Sequence, residues 1–183
     1  MKASNRWYVI TGGPSTGKTS LLAELNRLGH HTIPEAARTV IDQAIARGLT
    51  VQQLRADEKS FQEEVTRLKE QTEAHHDPKT STFFDRGMHD TLAYLRHYGF
   101  TVEQWVKELA QNSRYQKVFL LEPLPTYEQD YARTENSDFV TNVHQLLHDT
   151  YAEYDMVPVP VRAASLQERV GIILDHINRE QDV

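Results

Sequence analysis

The stretch "ITGGPSTGKTS", residues 10–20, decides how the chain is read. It contains the pattern G-x-x-x-x-G-K-[ST] as Gly12, Gly17, Lys18 and Thr19. The segment before it, "RWYVI", is short, apolar and rich in strand formers. The segment after it places Leu21, Leu22, Leu25 and Leu28 at helical spacing, with Gly29 as a stop. A glycine-rich loop between a strand and a helix gathers backbone N–H groups around an anion, and the helix N-terminus adds partial positive charge. Glycine allows the close backbone approach that this cradle needs. Gly12, Gly13, Pro14, Ser15, Thr16, Gly17, Lys18, Thr19 and Ser20 are therefore expected to hold the phosphates of a nucleoside triphosphate, ATP by default. Lys18 would reach the β- and γ-phosphates, and the Thr19 hydroxyl would meet Mg²⁺. The pattern leaves the fate of the terminal phosphate open.

The 183 residues suit a single domain, and 39% hydrophobic with 25% charged residues is enough to bury a core. A net charge of -6 without a Lys/Arg run argues against nucleic acid as a partner. The absence of cysteine excludes disulfides and thiolate metal sites. No apolar run approaches a membrane span, and "MKASNRWYVI" lacks a signal-peptide core, so a cytoplasmic location is expected. Nine histidines are present without a metal-ligand spacing such as H-E-x-x-H. His30-His31 and His75-His76 are expected at the surface or in loops.

Farther along, "HHTI", "TFFD", "KVFLLE" and "VPVPV" read as four more strands, the last at an edge because of its prolines. Between them lie helical stripes. Ala37, Val40, Ile41, Ala44 and Ile45 mark one; Val51, Leu54, Phe61, Val65 and Leu68 mark one long helix. Further helices carry residues 88–98, then Val102, Trp105, Val106 and Leu109, then Phe139 to Tyr154, then Leu166 to Ile177. Strands alternating with helices predict an α/β domain, a mostly parallel sheet covered on both faces. Ligands then bind beyond the carboxyl ends of the strands.

The residues that follow those ends are informative. Asp85 and Arg86, in "FFDRG", can supply a second carboxylate for Mg²⁺ and a planar fork for phosphate oxygens. Asp90 is either a supporting group or a surface charge. Glu35, in "TIPEAAR", either accepts a proton from an attacking hydroxyl or complements the positive end of its helix. Arg38, one turn on, faces the same way and can hold substrate. Residues 123–138 form a polar excursion in which Arg133 is the only Arg or Lys between Lys117 and Arg162. Arg133 either serves on a lid that brings positive charge to the γ-phosphate or is a solvated charge. Tyr127 and Tyr131 either pack over a base or cover the core. Gln62 faces either solvent or a substrate pocket, and Arg162 is placed to flank the nucleotide base.

With "GGPSTGKTS", "PEAAR", "DRG" and "VPVPV…QERV" in this order, the chain resembles the NadR-like P-loop ATPase/kinase family, over essentially its whole length. The resemblance implies the three-layer P-loop NTPase fold, with a five-stranded parallel sheet in the order 2-3-1-4-5. It implies a catalytic base at Glu35, a phosphate contact at Arg86, a lid residue at Arg133 and a base-holding Phe61-Gln62 pair. It also implies ATP and Mg²⁺, a small nucleoside-like acceptor and, as an open option, a homodimer. Bifunctional members carry an adenylyltransferase domain in front, for which these residues have no counterpart. "DRG" looks closer to nucleoside and thymidylate kinases, which leaves ribosylnicotinamide, a nucleoside or a nucleotide as acceptor. The expected activity is transfer of the γ-phosphate of ATP to such a molecule. The alternative is a nucleotide-hydrolysing regulator, although the N-K-x-D signature of a guanine switch is absent.

Overall fold

The computed structural model describes residues 5–124 and 137–179. The chain runs β1 (Trp7–Thr11), α1 (Lys18–Arg27), β2 (His31–Ile33), α2 (Ala36–Ala46), α3 (Val51–Leu54), α4 (Glu58–Ala74), β3 (Thr82–Asp85), α5 (Met88–His97), α6 (Gln104–Gln111), β4 (Tyr115–Leu121), α7 (Ser137–Ala152), β5 (Val159–Val161) and α8 (Leu166–Asn178). All five strands are parallel, in the order β2-β3-β1-β4-β5. This is the expected P-loop order, with proline-bearing β5 at one edge.

Side-chain alternation along β1 builds both faces of the core. Tyr8 and Ile10 join Phe83, Phe119 and Leu121 against α1 and α8. Trp7 and Val9 join Phe84 and Val118 against α5 and α6. Every residue of β1 is buried, as expected of a central parallel strand. Its neighbours β3 and β4 leave it on opposite sides, so a crevice opens beyond its carboxyl end.

One helix expectation needs correction. The stripe from Val51 to Leu68 is not continuous, because two caps divide it. Thr50 and Gln53 form a reciprocal capping box that starts α3. Asp57 accepts the Ser60 N–H at 3.0 Å and starts α4. Val51 is consequently exposed, while Phe61 and Val65 pack against Ala36 and Val40 of α2. Leu28 and Ile45, expected on buried stripes, fall at helix ends and face outward.

The expected excursion at 123–138, with Tyr127, Tyr131 and Arg133, lies almost wholly outside the described residues. Among those described, no helix is long and apolar enough to cross a membrane.

His89, near the start of α5, is fully buried between the rings of Tyr151 and Tyr154, each 4.7 Å away. Neither ring nitrogen has a hydrogen-bond partner among the described residues. Burial brings its pKa from 6.5 down to about 4. The unfolded chain therefore binds an extra proton between these values. Stability is complete above about pH 6.5 and falls as pH drops toward 4, by up to about 3 kcal/mol from this group. Urea melts at pH 7 and pH 5 should show the loss, and His89→Leu should flatten it. An unchanged pH slope in that variant would rule out His89 as the source.

Candidate active site

A cavity of about 800 Å³ opens at the crevice. One end is the loop from Pro14 to Gly17 and the first turn of α1; the other is walled by α2, α4 and α5. Gly12 sits at φ 148°, and a Cβ there would lie 2.9 Å from the Leu121 carbonyl oxygen, so the loop's first turn demands glycine. Ser15 also takes a left-handed conformation, at φ 56°. No side chain caps the N-terminus of α1, so its N–H groups are left for a ligand.

Lys18 folds back over the loop. Its Nζ donates to the carbonyls of Gly12 and Gly13 at 2.9 and 2.7 Å, and to Thr16 Oγ1 at 3.3 Å. Burial, reinforced by Arg86, lowers its pKa to about 7. Thr16 braces the turn by donating to Gly13 O at 3.0 Å. From behind, Arg169 of α8 donates to Thr16 O at 2.7 Å and to Glu122 O at 3.3 Å.

Glu35 and Arg86 meet at the middle of the cavity. Arg86 Nε donates to Glu35 Oε1 at 2.7 Å. Its Nη1 reaches both Gly12 O and Asp90 Oδ1 at 3.2 Å, and its guanidinium stacks 5.0 Å from the Tyr94 ring centre. Arg86 holds φ 67°, an uncommon left-handed conformation for a non-glycine residue, of the kind that collects at functional sites. Burial alone would raise the Glu35 pKa, but Arg86 and Lys18 more than offset it and keep the carboxylate ionised. Glu35 caps no backbone N–H of α2, so complementing that helix is not its main contact.

Beneath this pair, Asp90 is 1% exposed and accepts from Thr11 Oγ1 at 2.6 Å, Tyr151 Oη at 2.6 Å and Gly87 N at 2.9 Å. Burial opposes its charge, yet Arg86 and these donors hold its pKa below the ordinary carboxylate range. The "DRG" glycine is required by contact: a Cβ on Gly87 would lie 2.6 Å from Tyr151 Oη and 2.8 Å from the Tyr115 ring.

Among the expected site residues, Pro14 to Ser20, Glu35, Arg38, Gln62 and Arg86 all line the cavity. Gly12 and Gly13 support it through the carbonyls that receive Lys18. Gln62 is buried and donates to Glu58 Oε1 at 2.8 Å. Arg162 is exposed, lies 3.6 Å from Glu168 and does not contribute to the lining. Asp85 lines a smaller cavity of about 210 Å³ behind Arg86. Burial, then the Glu35 carboxylate, push its pKa up to about 6, and its Oδ1 has no partner among the described residues. Arg133 lies outside them.

Mg²⁺ suits this donor set, because it takes one or two oxygen side chains and completes its shell with phosphates and water. Thr19 lines the cavity, whereas Asp85, whose Oδ1 has no partner among the described residues, lines the smaller cavity behind Arg86. No group of three or more His, Asp or Glu gathers to hold a metal unaided among the described residues.

Residues that sequence reasoning missed include Lys69, Tyr94, Tyr98 and Arg169. Lys69 falls at i+8 from Phe61, on the apolar stripe of α4, and a lysine there is itself a signal. Arg169 carries the same signal, at i+3 from Leu166 and i−4 from Ile173 on the apolar stripe of α8.

The closure of this site can be measured. Gly87→Ala should cost about 1–3 kcal/mol through overpacking against the two tyrosines. Tyr151→Phe should cost about 1.5–3 kcal/mol by removing a hydrogen bond to an ionised group. Urea denaturation checks both; losses below 0.5 kcal/mol, roughly a surface-substitution effect, would contradict the network.

Comparison with known proteins agrees with this geometry. A family model described as "AAA domain" matches residues 7–169. No curated protein matches the sequence significantly. Among solved structures, the NadR protein in complex with NAD and AMP-PNP superposes with a TM-score of 0.72 at 18% identity, over 98% of this chain and 50% of that one. The chain thus spans about half the length of that NadR structure, and 45% of one in complex with NR. Thymidylate kinase from Candida albicans gives 0.67 at 13% identity, covering 99% of this chain and 94% of that one. Deoxyadenosine kinase from M. mycoides, with dATP bound, gives 0.67 at 13% identity, covering 94% and 99%. At these identities the likeness is one of fold, and the family match carries the assignment: the chain belongs to the AAA-domain family, in the P-loop fold that NadR and the nucleoside and nucleotide kinases share.

Proposed function

We propose that the protein is a small-molecule kinase that moves the γ-phosphate of ATP to a hydroxyl or phosphate of a nucleoside-like acceptor. The observation that carries this reading is the second end of the cavity. A hydrolase needs room for water beside the phosphates, whereas here the lining continues past Glu35 to Phe61, Gln62, Tyr94 and Tyr98. Aromatic walls with a buried amide suit a flat, polar-edged ligand. The fold shared with nucleoside and nucleotide kinases supports the same reading.

The residues divide the work. Backbone N–H groups of the loop and α1 hold the phosphates. Lys18 leaves its resting carbonyls to meet the β- and γ-phosphates, whose charge restores its proton. Glu35, ionised at neutral pH, orients the acceptor hydroxyl and takes its proton. Arg86 holds Glu35 in place and lends positive charge to the transferring group. Thr19 and Asp85 would hold Mg²⁺, which neutralises phosphate charge when bound.

Product analysis with ATP, Mg²⁺ and a panel of nucleosides, nucleotides and ribosylnicotinamide tests this. Labelled phosphate should appear on an acceptor. Glu35→Gln should lower kcat by about 10²–10⁴-fold, and Lys18→Ala should abolish nucleotide-dependent turnover. Free phosphate as the sole product, at a rate no panel member changes, would instead mark a regulatory ATPase.

A further inference from the structure

We infer that the acceptor is an anion, a hydroxyl compound carrying a phosphate or carboxylate that sits between Lys69 of α4 and Arg38 of α2. This rests on the kinase reading above and narrows its substrate class.

The charges at the acceptor end do not balance. With Lys18 assigned to the phosphate loop, Arg38, Arg55, Lys69 and Arg86 line the cavity against only Glu35 and Asp90. Two of the four cations are already matched. Arg55 pairs with Glu58 at 2.9 Å and also donates to Tyr98 Oη. Arg86 pairs with both Glu35 and Asp90.

Lys69 is different. It is only 7% exposed, and its Nζ donates to two neutral oxygens, Gly87 O at 2.7 Å and Thr91 Oγ1 at 3.1 Å. It makes no salt bridge among the described residues. An ammonium has three N–H groups, so one remains to be used. The carboxylates around it are engaged elsewhere: Glu35 with Arg86, Asp90 with four donors, Glu73 with the Tyr115 hydroxyl. Burial disfavours the charged ammonium, and Asp90, Glu73 and Glu35 offset this only through space, with no carboxylate in direct contact. A ligand anion supplies the missing charge in the place where the side chain meets the cavity.

Arg38 lines the same cavity from the first turn of α2, exposed and without an ion pair or hydrogen bond among the described residues. Its planar fork suits a phosphate or carboxylate. A neutral nucleoside would leave both charges unanswered. A pyridinium riboside, being cationic, would be repelled by them.

Calorimetry at saturating Mg²⁺ and AMP-PNP, which fills the phosphate loop, tests the assignment. The probes are AMP, CMP and dTMP, the matching nucleosides, ribosylnicotinamide, and shikimate as a hydroxy carboxylate. At least one anion should bind roughly tenfold or more tighter than every neutral and cationic probe. The monophosphate and carboxylate arms separate the two sources of charge.

Lys69→Met should weaken the anion by roughly 30-fold or more, with neutral probes and AMP-PNP unmoved, and Lys69→Arg should recover part of it. Arg38→Gln, at an exposed position without structural partners, gives a second variant that keeps the fold. A merely structural Lys69 would weaken all probes alike.

The inference falls if neutral or cationic probes bind as tightly as any anion, if no anion binds, or if neither variant changes the preference. The kinase reading is separable. Phosphate moving to a neutral nucleoside would spare it while overturning the anion. An anion that binds while only free phosphate forms would do the reverse.

Discussion

The carboxylate of Asp90 is the contact on which the rest of the site depends. A buried negative charge is tolerated only when its lone pairs are filled. Here they are filled from four directions: the end of β1, the turn before α5, α7, and Arg86. The same four hydrogen bonds that keep the charge also fix distances between elements far apart in sequence. Thr11 and Asp90 are 79 residues apart, and Tyr151 is a further 61. Because Arg86 is one of the four, its guanidinium cannot turn away, and Glu35 inherits its position from it.

Much of this was legible in the chain because local rules and the global fold agree. The phosphate loop is legible because a strand, a glycine turn and a helix each leave their own mark. The sheet follows from alternating apolar runs, and the edge position of β5 from its prolines. What escaped was of two kinds. Thr50 and Asp57 act as caps whose local hydrogen bonds outweigh a hydrophobic stripe, so one apparent helix became two. Asp90 reads as either a supporting group or a surface charge, and Lys69 and Arg169 are missed, because their partners are brought together only by tertiary packing. A lysine on an apolar stripe hints at burial, but nothing in its neighbours names Gly87 or Thr91 as the oxygens it meets.

The ligand-free site is also preorganised in an uneven way. Glu35, Arg86 and Asp90 are already locked by mutual hydrogen bonds, which suits groups that act on a transition state. Lys18 is not: it occupies loop carbonyls that it must leave. The Glu35–Arg86–Asp90 side is thus held by its own contacts before binding, while under the proposed function Lys18 would exchange internal hydrogen bonds for phosphate ones. The left-handed backbone at Arg86 is held by its contacts with Glu35, Gly12 and Asp90, so its strain belongs to the resting fold.

The hydrogen bond from Arg169 to the Thr16 carbonyl spans 153 residues. It ties the phosphate loop to α8, nearly the full described length away. During synthesis the glycine loop and β1 emerge before α8, and the brace behind the loop arrives only when α8 packs on α1. Until then a nascent chain has the sequence of a phosphate cradle without its support. Competence to hold a triphosphate is therefore acquired late, as a property of the finished sheet and its last covering helix.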